Sequence, residues 1–334
     1  MIYSEVSCLI LVNNQAGSGR IEDEWPIRKK QLLEALGPGQ VDIAFTTSQD
    51  HGAQRVRQAL SQGVKKILVV GGDGTFSEVI QGFFEGNRNV APETVLILMP
   101  GGRGDDFFKT ITGQRFYRKK SSWTKGLDII RYGTPVSVDV GKITLGSSPN
   151  ETQRYFINVS SFGFPGLVLD RGKNEEKSFI NKLIKKTSFA YFFQSVTALG
   201  SYNPLIAHVI VDGTPFFKGE LHSGFILNGR FNAGGICWDD NSKINDGLLG
   251  VMLMEYRNFF SFSINSLRIL MGSAQERVGV HRGEGKKIEV IFEGDSKPHS
   301  LFEVDGDLFE KNQDRRAVFE VLQKAIKIQA VNNF

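Results

Sequence analysis

The run Ile67-Leu68-Val69-Val70-Gly71-Gly72-Asp73-Gly74-Thr75-Phe76-Ser77-Glu78-Val79-Ile80 sets the class of fold. Its branched apolar residues predict a parallel strand buried on both faces, the three glycines around Asp73 predict a turn, and Phe76, Val79 and Ile80 at helical spacing predict a helix. Strand, glycine-rich turn and helix together make a phosphate-binding shape. With no side chains at Gly71, Gly72 and Gly74, backbone N–H groups and the positive end of the helix dipole can approach an anion. A carboxylate in an anion site calls for a divalent cation between the two, so Asp73 points to nucleotide and magnesium bound together. A tight βα turn with Asp73 as helix N-cap accounts for the same residues without a ligand.

The α/β pattern extends to either side of this run. Cys8 to Val12 reads as a first strand, followed by the polar loop Asn13-Asn14-Gln15-Ala16-Gly17-Ser18-Gly19-Arg20 and a helix from about Asp23 to Leu36. Gly37-Pro38-Gly39 stops that helix, Val41 to Thr46 alternates as a second strand, and a helix follows from His51 to about Gln62. Val95 to Met99 is another apolar strand, leading into Pro100-Gly101-Gly102-Arg103-Gly104-Asp105-Asp106-Phe107. Open sheets of βαβαβαβ order bind ligands at the carboxyl ends of their strands.

After Gly133-Thr134-Pro135 the character changes. Short alternating segments, among them Val136 to Val140, Tyr155 to Val159, Glu220 to Leu227, Leu249 to Met254 and Lys287 to Phe292, predict an antiparallel β-sandwich. The expected organisation is an α/β nucleotide-binding domain over residues 1–133, with 311–334 packing back on it, and a β-sandwich over 134–310. An insertion at 177–199 has helical spacing, with Ile180, Leu183, Ile184, Thr187 and Tyr191 on one face and Lys182, Lys185 and Lys186 opposite. A basic amphipathic helix of this kind suits docking on anionic lipid and equally suits covering a sheet.

Gly71-Gly72-Asp73-Gly74-Thr75 resembles the nucleotide motif of the diacylglycerol kinase catalytic-domain family, which includes bacterial lipid kinases, sphingosine kinases and ceramide kinases. NAD kinases and phosphofructokinases carry related motifs, so the motif alone leaves the phosphate acceptor open. Strings in the second half extend the resemblance in the family's order: Asp139-Val140-Gly141, Phe156 to Gly163, Asn228-Gly229-Arg230, Gly234-Gly235, Asn245 to Leu248 and Val304-Asp305-Gly306-Asp307. NAD kinases lack most of these, which favours a lipid acceptor over a dinucleotide.

The resemblance implies an ATP- and Mg2+-dependent lipid kinase acting on a diacylglycerol-like or sphingoid hydroxyl. It implies a nucleotide cradle of Asn14, Thr47, Val70, Gly71, Gly72, Asp73, Gly74, Thr75 and Phe76. Asn14 is taken as the asparagine of the family's Asn-Pro loop, with Gln15 in place of the proline. Thr47 also suits a capping role. Arg103 stands where the family has threonine and would bind phosphate in its stead, and Asp105 stands where it has asparagine. Asp73 and Asp106, acids at the tips of neighbouring parallel strands, would organise the catalytic magnesium. The base would be Asp307, where the family's turn ends in glutamate; a plain Asp-Gly hairpin explains the same residues. Asp246, with the carbonyls of Lys243 and Leu248, resembles a second, structural magnesium site of bacterial members, and an Asp-Gly turn without metal fits equally. Asp139 resembles a position that contacts the lipid headgroup in sphingoid kinases.

Length and composition bound these readings. A chain of 334 residues exceeds the size of one hydrophobic core, and its 40% hydrophobic and 23% charged content is ordinary for a folded protein. Two distant cysteines, Cys8 and Cys237, read as core thiols in a reducing compartment. The N-terminus has no signal-peptide pattern, and no window approaches the ~20 apolar residues of a spanning helix. Net charge of +4 and a pI near 8.9 suit anionic headgroups or nucleotides and give no case for nucleic acid. The expected location is cytoplasmic, peripheral to the inner face of the membrane, with the lipid met at that surface and a homodimer left open. Two rivals stand beside this reading. One is a phosphotransferase of NAD kinase type; the other is a catalytically impaired lipid-binding protein, suggested by Arg103, Asp105 and Asp307.

Overall fold

The computed structural model describes residues 7–47, 50–113, 119–146, 149, 151–167, 169, 204–232, 234–239, 242–256, 279–293, 302–309 and 315–331. The helix expected at 177–199 lies outside them. The chain runs β1 (Cys8–Val12), α1 (Arg20–Leu36), β2 (Val41–Phe45), α2 (His51–Ser61), β3 (Lys66–Gly71), α3 (Asp73–Gln81), β4 (Phe84–Glu85), β5 (Arg88–Asn89), β6 (Val95–Pro100), α4 (Asp106–Thr112) and α5 (Lys119–Tyr132). It continues as β7 (Thr134–Leu145), β8 (Thr152–Phe156), β9 (Val159–Gly163), β10 (Leu205–Val211), β11 (Thr214–Leu227), β12 (Phe231–Asn232), β13 (Ile236–Cys237) and β14 (Leu249–Glu255). It closes with β15 (Val280–Gly285), β16 (Lys287–Glu293), β17 (Phe302–Val304), β18 (Asp307–Phe309) and β19 (Arg316–Ala330).

The parallel half has the strand order β2-β1-β3-β6, with Val12 level with both Phe45 and Val70, and Gly71 level with Pro100. Its continuous apolar runs serve two helical layers, as parallel strands buried on both faces must. Ile10, Val12, Leu68, Val70, Ile97 and Met99 pack with Ile21 and Leu32 of α1 and Trp123 and Leu127 of α5. The alternate residues Leu9, Leu11, Ile67, Val69, Leu96 and Leu98 pack with Val56 of α2, Phe76, Val79 and Ile80 of α3 and Phe107 and Phe108 of α4. Because the period along a strand is two, this alternation aligns the three strands and brings their carboxyl ends to one edge.

The later strands form an antiparallel, β-rich half. Its core centres on Phe156, Phe162, Phe292, Phe302 and Phe319, whose contacting ring centroids lie 5.8 to 6.5 Å apart. The two halves share one hydrogen-bonded sheet. β19 makes the join: Lys327 and Ile328 pair parallel with β6, Arg316 to Glu320 pair antiparallel with β16, and β7 follows it along both stretches. Between Leu322 and Ile326 the register shifts, and Lys324 takes a φ of 48°. Asp139 fixes this bulge, since its Oδ1 accepts the Lys324 N–H at 2.6 Å and its Oδ2 accepts the Gly247 N–H at 2.7 Å.

Candidate functional site

Three loops leave the carboxyl edge of the parallel strands and stack on one another. The loop after β1 is tied down by Asn13, whose N–H donates to the Val70 carbonyl and whose Nδ2 donates to Thr75 Oγ1, both at 2.9 Å. The loop after β6 is tied by the Gly101 N–H to the Gly71 carbonyl at 2.7 Å and by the Gly102 N–H to Asp105 Oδ1 at 2.7 Å.

The glycines allow this stacking. A β-carbon at Gly72 would lie 2.8 Å from the Gly102 Cα, and one at Gly71 would lie 2.5 Å from the Thr75 Cβ. Gly74 differs, since nothing comes within 4 Å of a β-carbon placed there. Bare backbone therefore faces open ground at Gly74, while Gly71 and Gly72 are glycines because loop backbone and Thr75 occupy their space.

Asp73 does not cap its own helix. The N-cap of α3 is Gly72, extended at φ −104°. Asp73 Oδ1 instead accepts the Phe107 N–H at 3.0 Å, so this acid caps the neighbouring helix α4. Its other oxygen turns toward Asp106: a β-carbon at Gly104 would sit 3.2 Å from Asp73 Oδ2 and 3.3 Å from Asp106 Oδ2. Two acids thus converge over one glycine. Burial, followed by the charge of Asp106, pushes the Asp73 carboxyl above its ordinary range. Asp105, buried at φ 52°, is pushed up to about 7 by burial and by the charge of Asp73.

Asp106 is more heavily engaged. Its Oδ1 takes the Lys109 ammonium at 2.7 Å and its Oδ2 takes the Gly234 N–H at 2.8 Å. Asp73 Oδ2, together with Asp106 Oδ2 over Gly104, is the oxygen that could hold a cation. Among the described residues no three His, Cys, Asp or Glu side chains are grouped to hold a metal. Such a donor set fits a magnesium ion that keeps its water and takes other oxygens from phosphate, as Mg2+ does when it has only one or two carboxylates.

The turn between β17 and β18 meets this region from the antiparallel half. Asp305, in the left-handed region at φ 49°, accepts three backbone N–H groups, from Ile157, Asn158 and Val159, each at 3.0 Å. Burial pushes it up to about 6, and Asp73 lies near enough for its charge to add to the shift. Glu303 is buried beneath the turn, accepting the Ser161 hydroxyl and the Gly306 N–H, and burial pushes it up to about 7. Asp307 is half-exposed, and its Oδ2 accepts from Arg154 at 3.2 Å. The charge of Asp307 is felt at Glu78 of α3, whose Oε1 accepts the Gly52 N–H at 2.7 Å and whose carboxyl is raised chiefly by burial. Asp305 thus lies within electrostatic range of Asp73, and Asp307 within range of Glu78 on the same helix α3.

The remaining expected residues fall in several different environments. The asparagine that engages the glycine motif is Asn13, not Asn14, whose Oδ1 is enclosed without a partner. Val70 and Phe76 are fully buried on opposite faces of the sheet, so neither side chain reaches a ligand. Thr75 is buried and fills the space beside Gly71. Asp139 has no exposed surface and both its oxygens hold backbone N–H groups, so it is an interior clamp and not a headgroup contact. Asp246 Oδ1 accepts the Leu248 N–H at 3.1 Å, which is the local Asp-Gly turn. That turn is tied to Asp139 through Gly247 and to Gln323. Asp246 and Leu248 thus belong to the turn beside the β19 join, where the expected second metal position with Lys243 would lie. Arg103 stands exposed on its loop. Thr47, exposed beyond β2, meets His51 Nδ1 at 3.1 Å through both its N–H and its hydroxyl. Sequence reasoning left Asn13, Glu78, Lys109 and Arg154 without roles. For Glu78 a signal existed, an acid set among the apolar residues of α3.

Residues 7–143 match the family model described as the diacylglycerol kinase catalytic domain. A probable lipid kinase, YegS-like, from Xanthomonas campestris is 27% identical over 220 residues, 66% of this chain and 65% of that protein. A diacylglycerol kinase from Mycobacterium tuberculosis is 24% identical over 217 residues, 64% of this chain and 63% of that one. These alignments span a little under two thirds of the relatives' own length. Among solved structures, a putative diacylglycerol kinase from Bacillus anthracis superposes with a TM-score of 0.71 at 19% identity, covering 97% of this chain and 95% of that one. The fold is shared along nearly the whole chain. Among the described residues no helix is long and apolar enough to cross a membrane.

Proposed function

We propose that this chain, whose residues 7–143 match the diacylglycerol kinase catalytic domain, is a lipid kinase. It moves the γ-phosphoryl group of ATP to the hydroxyl of a diacylglycerol-like or sphingoid lipid. One observation carries the reading: Asp73 Oδ2 and Asp106 Oδ2 converge over Gly104 at the mouth of three stacked glycine loops. Two acids held together in this way are costly unless a cation and an anion come between them and the loops. The relatives named lipid and diacylglycerol kinases support the choice of acceptor.

In this mechanism the loop around Gly74 and the N-terminus of α3 receive the phosphates, and Arg103 adds a guanidinium from the facing loop. Asp73 and Asp106 are the residues that would hold magnesium, whose charge when bound offsets that building on the transferring phosphoryl oxygens. Lys109 holds the Asp106 carboxylate in place through their ion pair. Asp307 accepts the proton of the lipid hydroxyl as that oxygen bonds to the γ-phosphorus, and the bond to the bridging oxygen of ADP breaks. The lipid is met at a membrane surface, with no spanning segment required.

The test is incorporation of labelled γ-phosphate from ATP into a panel of diacylglycerol, ceramide and sphingoid base in mixed micelles, with and without Mg2+. The expected result is Mg-dependent labelling of at least one lipid and a loss of about a thousandfold or more in Asp73→Asn, the scale of removing a charge-organising group. A wild-type protein that labels none of the panel, or an Asp73→Asn variant as active as wild type, overturns the proposal.

A further inference from the structure

Asp307 is one methylene shorter than the glutamate expected at its position, a deficit of about 1.5 Å of reach. Proton transfer needs the base within roughly 3 Å of the hydroxyl. The structure contains a group that acts on this short carboxylate and has no other assigned part. Arg154 of β8 donates to Asp307 Oδ2 at 3.2 Å, leaving Oδ1 for an incoming hydroxyl. The Arg154 side chain is 17% exposed against 46% for Asp307, so the guanidinium is set in the wall and the carboxylate at the surface.

The position of Arg154 is fixed from the other half of the molecule. Gln81, the last residue of α3, clasps the backbone of Tyr155 at two points: its Nε2 donates to the Tyr155 carbonyl at 2.8 Å and its Oε1 accepts the Tyr155 N–H at 3.0 Å. The Tyr155 ring stacks on Phe84 at 4.6 Å, and its hydroxyl bonds the Gly86 carbonyl. β8 is thus registered against the helix that starts at Asp73. On the opposite side Glu303 and Asp305 lock the turn from which Asp307 projects. A continuous series of contacts runs from Asp73 along α3 through Gln81, Tyr155 and Arg154 to Asp307.

We propose that Arg154 is the positioning residue for Asp307, and that Gln81 fixes Arg154 in turn, so that a shortened base is held at a set distance from the glycine-loop site. The inference rests on the kinase reading of Asp307. It is tested by steady-state kinetics on wild type, Arg154→Met, Arg154→Lys, Gln81→Met, Asp307→Glu and the double variant Asp307→Glu/Arg154→Met. Thermal unfolding of each variant accompanies the kinetics.

Arg154→Met is expected to lower kcat by about tenfold to a hundredfold, the scale of a base displaced by about 1 Å, with the KM for ATP within about twofold. Arg154→Lys recovers part of the loss, and Gln81→Met lowers kcat in the same direction by less. In the Asp307→Glu background, where the carboxylate reaches further unaided, Arg154→Met costs less than about threefold, a coupling that two independent residues would not produce. An Arg154→Met enzyme with kcat within about twofold of wild type overturns the inference and leaves the kinase reading standing. Equal losses with Asp and with Glu at 307 do the same. If Arg154→Met does not fold, Arg154→Lys and Gln81→Met carry the comparison, and wild-type kcat in both overturns the inference. A wild-type protein inactive on every lipid overturns the kinase reading and this inference with it.

Discussion

Two groups of acids lie within electrostatic range of one another, and they are used in opposite ways. In the β17–β18 turn, Asp305 accepts three backbone N–H groups and Glu303 accepts a hydroxyl and a backbone N–H. Those carboxylates are part of the architecture. On the glycine loops, Asp73 gives one oxygen to the Phe107 N–H and leaves the other facing a second acid over Gly104. The difference teaches that burial alone does not mark a functional carboxylate, since Asp73, Glu303 and Asp305 are all raised by burial. What separates Asp73 from Asp305 is that Asp305 spends both oxygens on backbone N–H groups, while Asp73 turns Oδ2 toward Asp106.

The largest effect that would break this contrast lies in the turn. Asp305→Ala leaves three buried N–H groups without an acceptor and is expected to cost about 3 kcal/mol or more, read as a drop of several degrees in Tm. Asp73→Asn removes like-charge repulsion at the loops and is expected to keep or raise Tm while abolishing turnover. Equal Tm for Asp305→Ala and wild type would remove the distinction between the two groups.

The glycines sharpen the contrast at an intermediate size. A methyl at Gly72 meets the Gly102 backbone and one at Gly74 meets open ground. Gly72→Ala is therefore expected to destabilise by about 1–3 kcal/mol. Gly74→Ala should leave denaturant stability nearly unchanged and weaken ATP binding by calorimetry. Reversed outcomes would reassign which glycine faces the ligand.

The smallest effect is a pH dependence. Glu303 is raised from 4.5 to about 7, so the folded state holds its proton where the unfolded state has released it. Its stabilising contribution is full below about pH 4.5 and is lost as pH rises toward about 7. Asp305 and Asp105 have the same sign, raised from 3.8 to about 6 and about 7. Tm is expected to fall between pH 5 and pH 8, and Glu303→Gln, which has no proton to lose, should flatten part of that fall. An unchanged profile in Glu303→Gln would show that Glu303 is not the group titrating.

Much of the site was legible from residue type and order. The glycine run after Val70 and the Asp105-Asp106 pair after Met99 announced themselves, because a loop at the carboxyl edge of a parallel strand has few other reasons to concentrate glycine and acid. Other placements were not legible in this way. Asn13 and Asn14 differ by a single position, and a one-residue shift turns a side chain to the other side of the backbone. Asp139 lies within β7 and Asp246 in an Asp-Gly turn, and in neither place does spacing distinguish a ligand from a backbone acceptor. Arg154 and Asp307 are 153 positions apart, and Gln81 and Tyr155 are 74 apart. Pairings at such distances leave no local pattern.

Periodicity by itself determined the parallel half, its two-sided burial and the edge where its loops gather, because strand and helix periods are local properties of the chain. Only the tertiary structure decided that Asp73 caps the neighbouring helix and not its own, and that β19 joins both halves into one sheet. It also decided that Asp139 holds the bulge in β19 and that a guanidinium from β8 reaches Asp307. Each of these depends on which backbone donors remain unpaired once distant segments pack, and that is settled by the whole fold.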